Sequence, residues 1–378
     1  MKATVAVLKT TPQTVLDDYR TLMHLAEYEG WIDKAQDTLL KLNLSWTKYF
    51  PACSSQPWQL EGVVRTLLED GFERKRIFPV ENKTVVTNPR KGAKNNLWLP
   101  VLDRYGLPFM PLPELEWTVY RFQSPLLKLN QIFPEGIEIP KLYLGKQVIH
   151  LPTVKTHGHS TTTGAIKNSF GGLLKEVRHY AHKYMHEVLV DLLYMQKEIH
   201  PGIFAVMDGT VCGDGAGPRT MIPQVKNYLL AGGDQVAIDA IAAKMMGFDP
   251  LAIPYLRMCH ERELGVADPA HIRVLGENIS GVNFGFSVQR SLVIWGDQLI
   301  RKGPLRSLEK LLLHSPLVVW APFASNVYHD FLWYPLIGRS RIRAFQRTAW
   351  GALWESYRRP QPPFRPASPL LAEADSPV

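Results

Sequence analysis

Cysteine is scarce in this 378-residue chain: Cys53, Cys212 and Cys259 stand far apart, with no Cys-x-x-Cys among them. Three thiols cannot ligate a four-cysteine iron–sulfur cluster, and their spacing argues against a disulfide framework. The N-terminal "MKATVAVLKTTPQTVLDDYR" has one short apolar run and then polar residues, without the apolar stretch and cleavage-like site of a secretory leader. These two absences predict a reducing, cytoplasmic setting. Unbroken apolar runs are missing as well. "LLLHSPLVVWAPFASNVYHDFLWYPLIG" is apolar and aromatic, but Pro316, Pro322, Asn326, His329, Asp330 and Pro335 interrupt it. A spanning helix wants ~20 consecutive apolar residues. The formal net charge of +8 comes without zinc-finger, RRM-like or helix-turn-helix spacing, which points away from nucleic acid. A small anionic molecule or a membrane surface remains as the partner of a basic chain.

What is present is ordinary globular material, 46% hydrophobic and 21% charged, long enough for two domains of about 100–200 residues each. Val15, Leu22, Leu25, Ile32 and Leu39 fall near helical spacing, so residues 12–40 read as a helix with Asp17 and Asp18 early in it. "LLKLNLSW" reads as a strand. "SSQPWQLEGVVRTLLEDGF" reads as a helix capped by Ser55 or Ser54 with Pro57 in its first turn, and "RKRIFPVENK" as the next strand. Residues 84–147 suggest loops, short strands and a helix near 95–105. "KQVIHLPTVK" is a strand leading into "PTVKTHGHSTTTGAIKNSFGG", and a long helix is expected from Gly171 to Ile199. "IFAVMDG" reads as a buried strand and "VCGDGAGPR" as a glycine-rich loop. "YLLAGGDQVAIDAIAAKMMGF" gives a strand, a turn, and a helix capped by Asp234 and Gly247. A further helix over "PLAIPYLRMCHERELG" and a strand at "IRVLGE" follow.

This alternation predicts an α/β fold of mainly parallel sheets with flanking helices, in two lobes with a cleft between them. The expected divisions are an N-terminal lobe over 1–147, a second lobe over 148–300, an aromatic and basic helical segment over 301–357, and a disordered tail over 358–378.

Ligands in such folds bind beyond the carboxyl ends of the strands. Four polar clusters fall there: Lys41 with Asn43; Glu81, Asn82 and Lys83; the stretch holding Lys155, His157, His159, Thr163, Lys167 and Asn168; and the turn with Asp208 and Asp214. If "TTTGAIKNSF" opens a helix, its free N–H groups and threonine hydroxyls form an anion site into which Lys167 projects. Lysine would then supply positive charge or an amine, His157 proton transfer near neutral pH, and Asp208 orientation or charge balance. His179, His182 and His186 would share one helix face, so a metal held by His157 and His182 is an expectation. No His-Glu-x-x-His and no Gly-Lys-Ser/Thr accompanies these clusters, so neither a zinc protease nor a Walker loop is read here. Asp239, inside an apolar helix, needs a partner if buried.

"LPTVKTHGHSTTTGAIKNSFGG", "VMDGTVCGDGAGPR" and "LLAGGDQVAIDAIAAKMMGFDP", in this order, resemble the signature of the family called domain of unknown function 362, from about Lys41 to Glu277. Many of its members carry or accompany ferredoxin-type clusters, which raises a redox partner protein as an expectation. This chain has no intrinsic iron–sulfur cluster to transfer that label to. A fainter resemblance is to nickel-dependent lactate racemase, whose lysine anchors a nickel-pincer nucleotide. Ser55-Gln56-Pro57, Glu81-Asn82-Lys83, and His157 with Lys167 stand at the places of its motifs, with His182 near the last. Gln56 replaces its arginine, and the histidine of its second motif is missing. Residues and resemblance together suggest isomerase- or oxidoreductase-like chemistry on a small anionic substrate, with a divalent metal or a nucleotide-like cofactor. A non-catalytic anion binder, or a protein touching a membrane surface or assembling a complex through its C-terminal segment, is the alternative.

Overall fold

The first strand, β1 (Ala3–Lys9), comes from the short apolar run at the N-terminus. It is followed by β2 (Thr38–Lys41), β3 (Ile77–Glu81), β4 (Met110–Pro111), β7 (Gln147–His150), β8 (Thr153–His157), β9 (Thr161–Thr162), β10 (Ile203–Ala216), β11 (Thr220–Gly232) and β12 (Ile272–Gly276), with β5 (Trp117–Tyr120) and β6 (Ile137–Pro140) forming a separate ribbon. The ten-stranded sheet has the order β12-β1-β11-β10-β7-β2-β3-β4, and β8 with β9 branches from β10. Strands from residues 1–147 and from residues 148–300 hydrogen-bond within this one sheet, with β2 and β7 meeting in parallel at the seam. This computed structural model describes residues 3–84, 86–175, 181–289, 295, 296, 303 and 320–364.

The central parallel strands are buried along their whole length, as strands covered by helices on both faces must be. One face packs against α1 (Val15–Leu25), α2 (Pro57–Glu69), α3 (Pro89–Asn95) and α4 (Trp98–Tyr105). The other packs against α5 (Leu129–Ile132), α6 (Gly164–Leu173), α7 (Met185–Ile199), α8 (Gln235–Met246) and α9 (Pro254–Glu261). Asp234 caps α8 by accepting from the amides of Val236 and Ala237, and Gly247 closes it in the left-handed region, as the sequence suggests.

Several elements differ from the sequence reading. The first helix stops at Leu25, because Glu27 takes a left-handed conformation and residues 38–41 enter the sheet. The cap of α2 is Gln56, whose amide donates to Gln59 Oε1 at 3.3 Å. The Ser55 hydroxyl instead accepts from the Asn43 amide and donates to the Leu151 carbonyl, tying the exit of β2 to that of β7. The long helix expected from Gly171 is two helices, α6 beginning seven residues earlier and α7 ending at Ile199, with Leu174 extended. Between them, residues 176–180, and with them His179, lie outside the described residues. The expected loop at "VCGDGAGPR" is strand as far as Ala216: β10 pairs with β11 from Ala205 to Ala216, with a bulge between Gly209 and Val211. A Cβ at Gly213 would strike Met221 and one at Gly217 the Thr156 carbonyl, so these glycines admit the close crossing of neighbouring strands.

The C-terminal segment lies over the α1–α2 face. Helix α10 (Trp320–Asn326) widens to a π-helical stretch over Val327–Gly338 and continues as α11 (Arg339–Gln346), then α12 (Ala349–Ser356). Trp354 stacks on Tyr49 with ring centroids 4.0 Å apart, and Trp46 donates its indole N–H to Asp330 at 2.7 Å. Part of the expected disordered tail is ordered: Phe364 packs on Tyr105 and its amide donates to the Arg104 carbonyl. Residues 365–378 lie outside the described residues.

Candidate functional site

Helix α6 organises the site, and an internal carboxylate holds its first turn. Asp239 of α8 is buried and accepts from the Ala165 amide at 2.5 Å, the Ile166 amide at 3.2 Å and the Tyr255 hydroxyl at 3.3 Å. Gly164 precedes these amides with φ +66°, and any Cβ there would collide with the Asp239 carboxylate. The free helix N-terminus expected to receive an external anion is therefore filled from within. Burial raises the Asp239 pKa to about 7 against these stabilising amides.

Beside that turn, strand β8 ends at His157, which is buried. Its Nδ1 accepts from the His159 amide at 3.1 Å, so in the neutral ring Nε2 carries the proton. The His157 and His159 rings lie 5.9 Å apart, and His159 meets His182 edge-on at 5.5 Å. Phe170 joins the group, with its ring 5.5 Å from His182 and 5.3 Å from the Lys167 ammonium. Burial first, then Lys167, His159, His182 and Lys155, hold the His157 pKa well below the usual histidine value. The imidazole is thus neutral at pH 7, and its character is that of a donor through Nε2–H.

Under the same helix lies a buried polar layer at the carboxyl ends of β2, β3 and β7. Lys41 pairs with Glu81 at 2.8 Å, both side chains nearly inaccessible. Gly171 and Gly172 of α6 pass directly over this pair. Asn168 donates to the Lys41 carbonyl at 2.9 Å and approaches His150, which in turn meets Gln196 at 2.7 Å. Burial, reinforced by Lys41, brings the His150 pKa down to about 3. Glu81 Oε2, Tyr143 Oη and Asn168 Oδ1 are buried here with no hydrogen-bond partner. On the β8 side, the Lys155 ammonium donates to Asn43 Oδ1, to the Cys53 carbonyl at 2.7 Å and to Thr153 Oγ1 at 2.9 Å. Burial lowers its pKa to about 8.

The fold therefore gathers His157, His159, Lys167 and His182 in one cluster, with Lys155 near enough to act on His157, and sets Lys41, Glu81 and Asn168 in the layer beneath α6. Asn43 belongs to the Lys155 contact, and Thr163 precedes α6 with its hydroxyl buried and unbonded. Asp208 does not join them. It sits on the α1–α2 face, where Tyr19 donates to it at 2.7 Å, Trp58 at 2.9 Å and Thr210 through both its amide and hydroxyl. These four donors occupy the carboxylate, and its role is to fasten α1 and α2 to the sheet. Asp214 bonds Gln224 across the β10–β11 hairpin and the Ser287 amide. His182 lies in a 3₁₀ turn over 181–184 that leads into α7 and meets His159, while His186 stands in α7 itself and stacks on Tyr255. Sequence reasoning passed over His150 and Tyr143; a lone histidine inside the apolar "KQVIHL" was the available signal for the first.

A family described as "Domain of unknown function (DUF362)" matches residues 38–244, which hold α6, both polar layers and the β10–β11 hairpin. The chain belongs to this family. A relative, the "Thylakoid-associated protein sll1697" of Synechocystis sp. (strain ATCC 27184 / PCC 6803 / Kazusa), is 24% identical over 291 residues, covering 74% of this chain and 82% of its own length. No solved structure matches the chain. Among the described residues of this DUF362 protein, no three His, Cys, Asp or Glu side chains gather so as to hold a metal ion. Two of the places that the racemase resemblance points to are taken up by fold contacts: Ser55 and Gln56 bond within the fold, and Glu81 is paired with Lys41.

Proposed function

We propose that this DUF362 protein is an enzyme that binds a small anionic substrate, a carboxylate or phosphate, at the His157–His159–Lys167–His182 cluster. The observation that carries this reading is the convergence of basic side chains around one buried imidazole at the carboxyl end of β8. Open α/β folds place their ligands at this end of the strands.

In this reading Lys167 supplies positive charge to the anion. His157, kept neutral by burial, donates Nε2–H to an oxygen on which charge develops, as a neutral imidazole can without adding a second cation. The Lys41–Glu81 pair and Asn168 hold α6 over the strand ends, and Asp239 fixes its first turn. A neutral donor beside an ammonium stabilises the charge that forms on oxygen when a base takes a proton next to a carbonyl or carboxylate; His159 or His182 would be that base and return the proton, hence isomerase-like chemistry. A redox reaction with a separately bound cofactor or partner protein would use the same anion contacts.

Thermal-shift measurements with a panel of small carboxylates and phosphates test the reading, with the wild type beside Lys167→Met and His157→Gln. At least one compound stabilises the wild type, and Lys167→Met abolishes the effect. Proton NMR in deuterated water then follows exchange into that compound. Binding that survives in Lys167→Met rejects the site. Binding lost in Lys167→Met, with no exchange or turnover in the wild type, makes the protein a non-catalytic anion binder.

A further inference from the structure

The helix over the α1–α2 face has an outer side that is largely exposed among the described residues. Over Val327–Gly338 the hydrogen bonding shifts to the wider π register, in which each bond spans five residues instead of four. In that register, buried Ser325, His329, Trp333 and Gly338 follow one another along the inner side. The outer side carries Phe323, Phe331, Leu332, Leu336 and Ile337, and Phe331 and Leu336 are 72% and 75% exposed. From Leu336 the same line continues, now in α register, to Arg339 and Arg343, both exposed. Asp330 is the lone acidic residue between 320 and 354, and it is turned inward to Trp46 and Lys48. An apolar stripe ending in exposed arginines, with no acid on it, is thus presented by a helix whose other side is anchored to the core.

We propose that this stripe lies in the interface of an anionic lipid bilayer, with Phe331, Leu332 and Leu336 below the headgroups and Arg339 and Arg343 among them. Charge complementarity selects this occupant: exposed Arg339 and Arg343 end an apolar stripe that carries no acid, which matches anionic headgroups set above an apolar interior. The geometry is that of an interfacial helix, apolar side down and lying in the membrane plane. No helix among the described residues is long and apolar enough to cross a bilayer, so the contact is peripheral. The proposal stands independently of the His157 cluster, whose residues take no part in it.

Co-sedimentation of the full-length protein tests it, using vesicles of phosphatidylcholine alone and of phosphatidylcholine mixed with phosphatidylglycerol. The wild type partitions to the mixed vesicles, less so as salt is added. Phe331→Ser with Leu336→Ser lowers the partition coefficient at least about thirtyfold, since two large apolar side chains no longer leave water. Arg339→Glu with Arg343→Glu lowers it roughly twenty-five-fold or more, at about fivefold for each basic group lost near an anionic surface. All four positions are exposed, and an unchanged melting temperature confirms that the variants fold. Absence of partitioning to either vesicle, or partitioning unchanged in both variants, overturns the proposal. So does a dimer in light scattering that Phe331→Ser with Leu336→Ser dissociates, which would give the stripe to a second copy.

Discussion

Replacing Asp239 by asparagine probes the internal cap of α6 directly. The folded-state pKa of about 7 lies above the unfolded value of 3.8, so the native protein retains a proton that the unfolded chain has already released. Stability from this group is therefore greatest below about pH 4, falls as pH rises toward 7, and is level beyond. With those two values, the wild type loses about 2–3 kcal/mol between pH 5 and pH 8 through this carboxyl alone. Asparagine does not titrate, and the slope disappears. The variant carries instead a constant penalty of ~1–3 kcal/mol, because one amide oxygen cannot serve both the Ala165 and Ile166 N–H groups and the side-chain nitrogen accepts nothing. Urea denaturation of both proteins at several pH values gives the difference, from which the buried histidines common to both cancel. Asp239→Asn should be the weaker protein at pH 5 and gain on the wild type steadily toward pH 8. A difference that stays constant across this range would refute the account of a carboxyl held protonated by burial.

Lys41→Ala leaves the Glu81 carboxylate buried without its cation and should cost ~3–5 kcal/mol in denaturant unfolding, whereas Lys41→Met combined with Glu81→Gln should cost much less. Gly172→Ala places a methyl 2.6 Å from Tyr143 Oη and 3.1 Å from Lys41 Cε, an overpacking worth ~1–3 kcal/mol. Adding Tyr143→Phe should recover most of that loss, since the hydroxyl has no hydrogen-bond partner to lose. Trp354→Ala removes the ring stacked on Tyr49 and should lower stability by ~3–5 kcal/mol, in one transition with the rest of the protein.

Features set by neighbours along the chain were legible in the sequence. Asp234 and Gly247 mark the ends of α8 by local hydrogen bonding and backbone preference, and the parallel strands show as short apolar runs. The side of the sheet that a residue faces was also available and was not used. Asp208 shares parity with Phe204 and Val206, whose side chains lie in the α1–α2 core, while Met207 faces α6. That alternation places Asp208 on the face where Tyr19 and Trp58 stand. The glycines of "VCGDGAGP" were misread because the same composition serves a loop and a crowded strand crossing; only the path of β8 decides between them. The need of Asp239 for a partner was evident, but the partner, the first turn of a helix more than seventy residues earlier, is set by tertiary packing. Lys155, His157 and Lys167 were identified by their density in one stretch, and it is the turn of β8 into α6 that makes that density spatial.

Strand β11 is hydrogen-bonded on one side to β10 and on the other to β1, which itself is flanked by β12. The stretch matched to the family ends at residue 244 and begins at 38, so it contains neither of the outer two. Expressed alone, that stretch would leave the backbone of β11 bare along Tyr228–Ala231, an open template for pairing between molecules. A ribosome making this chain meets the same difficulty: its first strand waits, through most of synthesis, for a flanking partner that emerges some two hundred and seventy residues later.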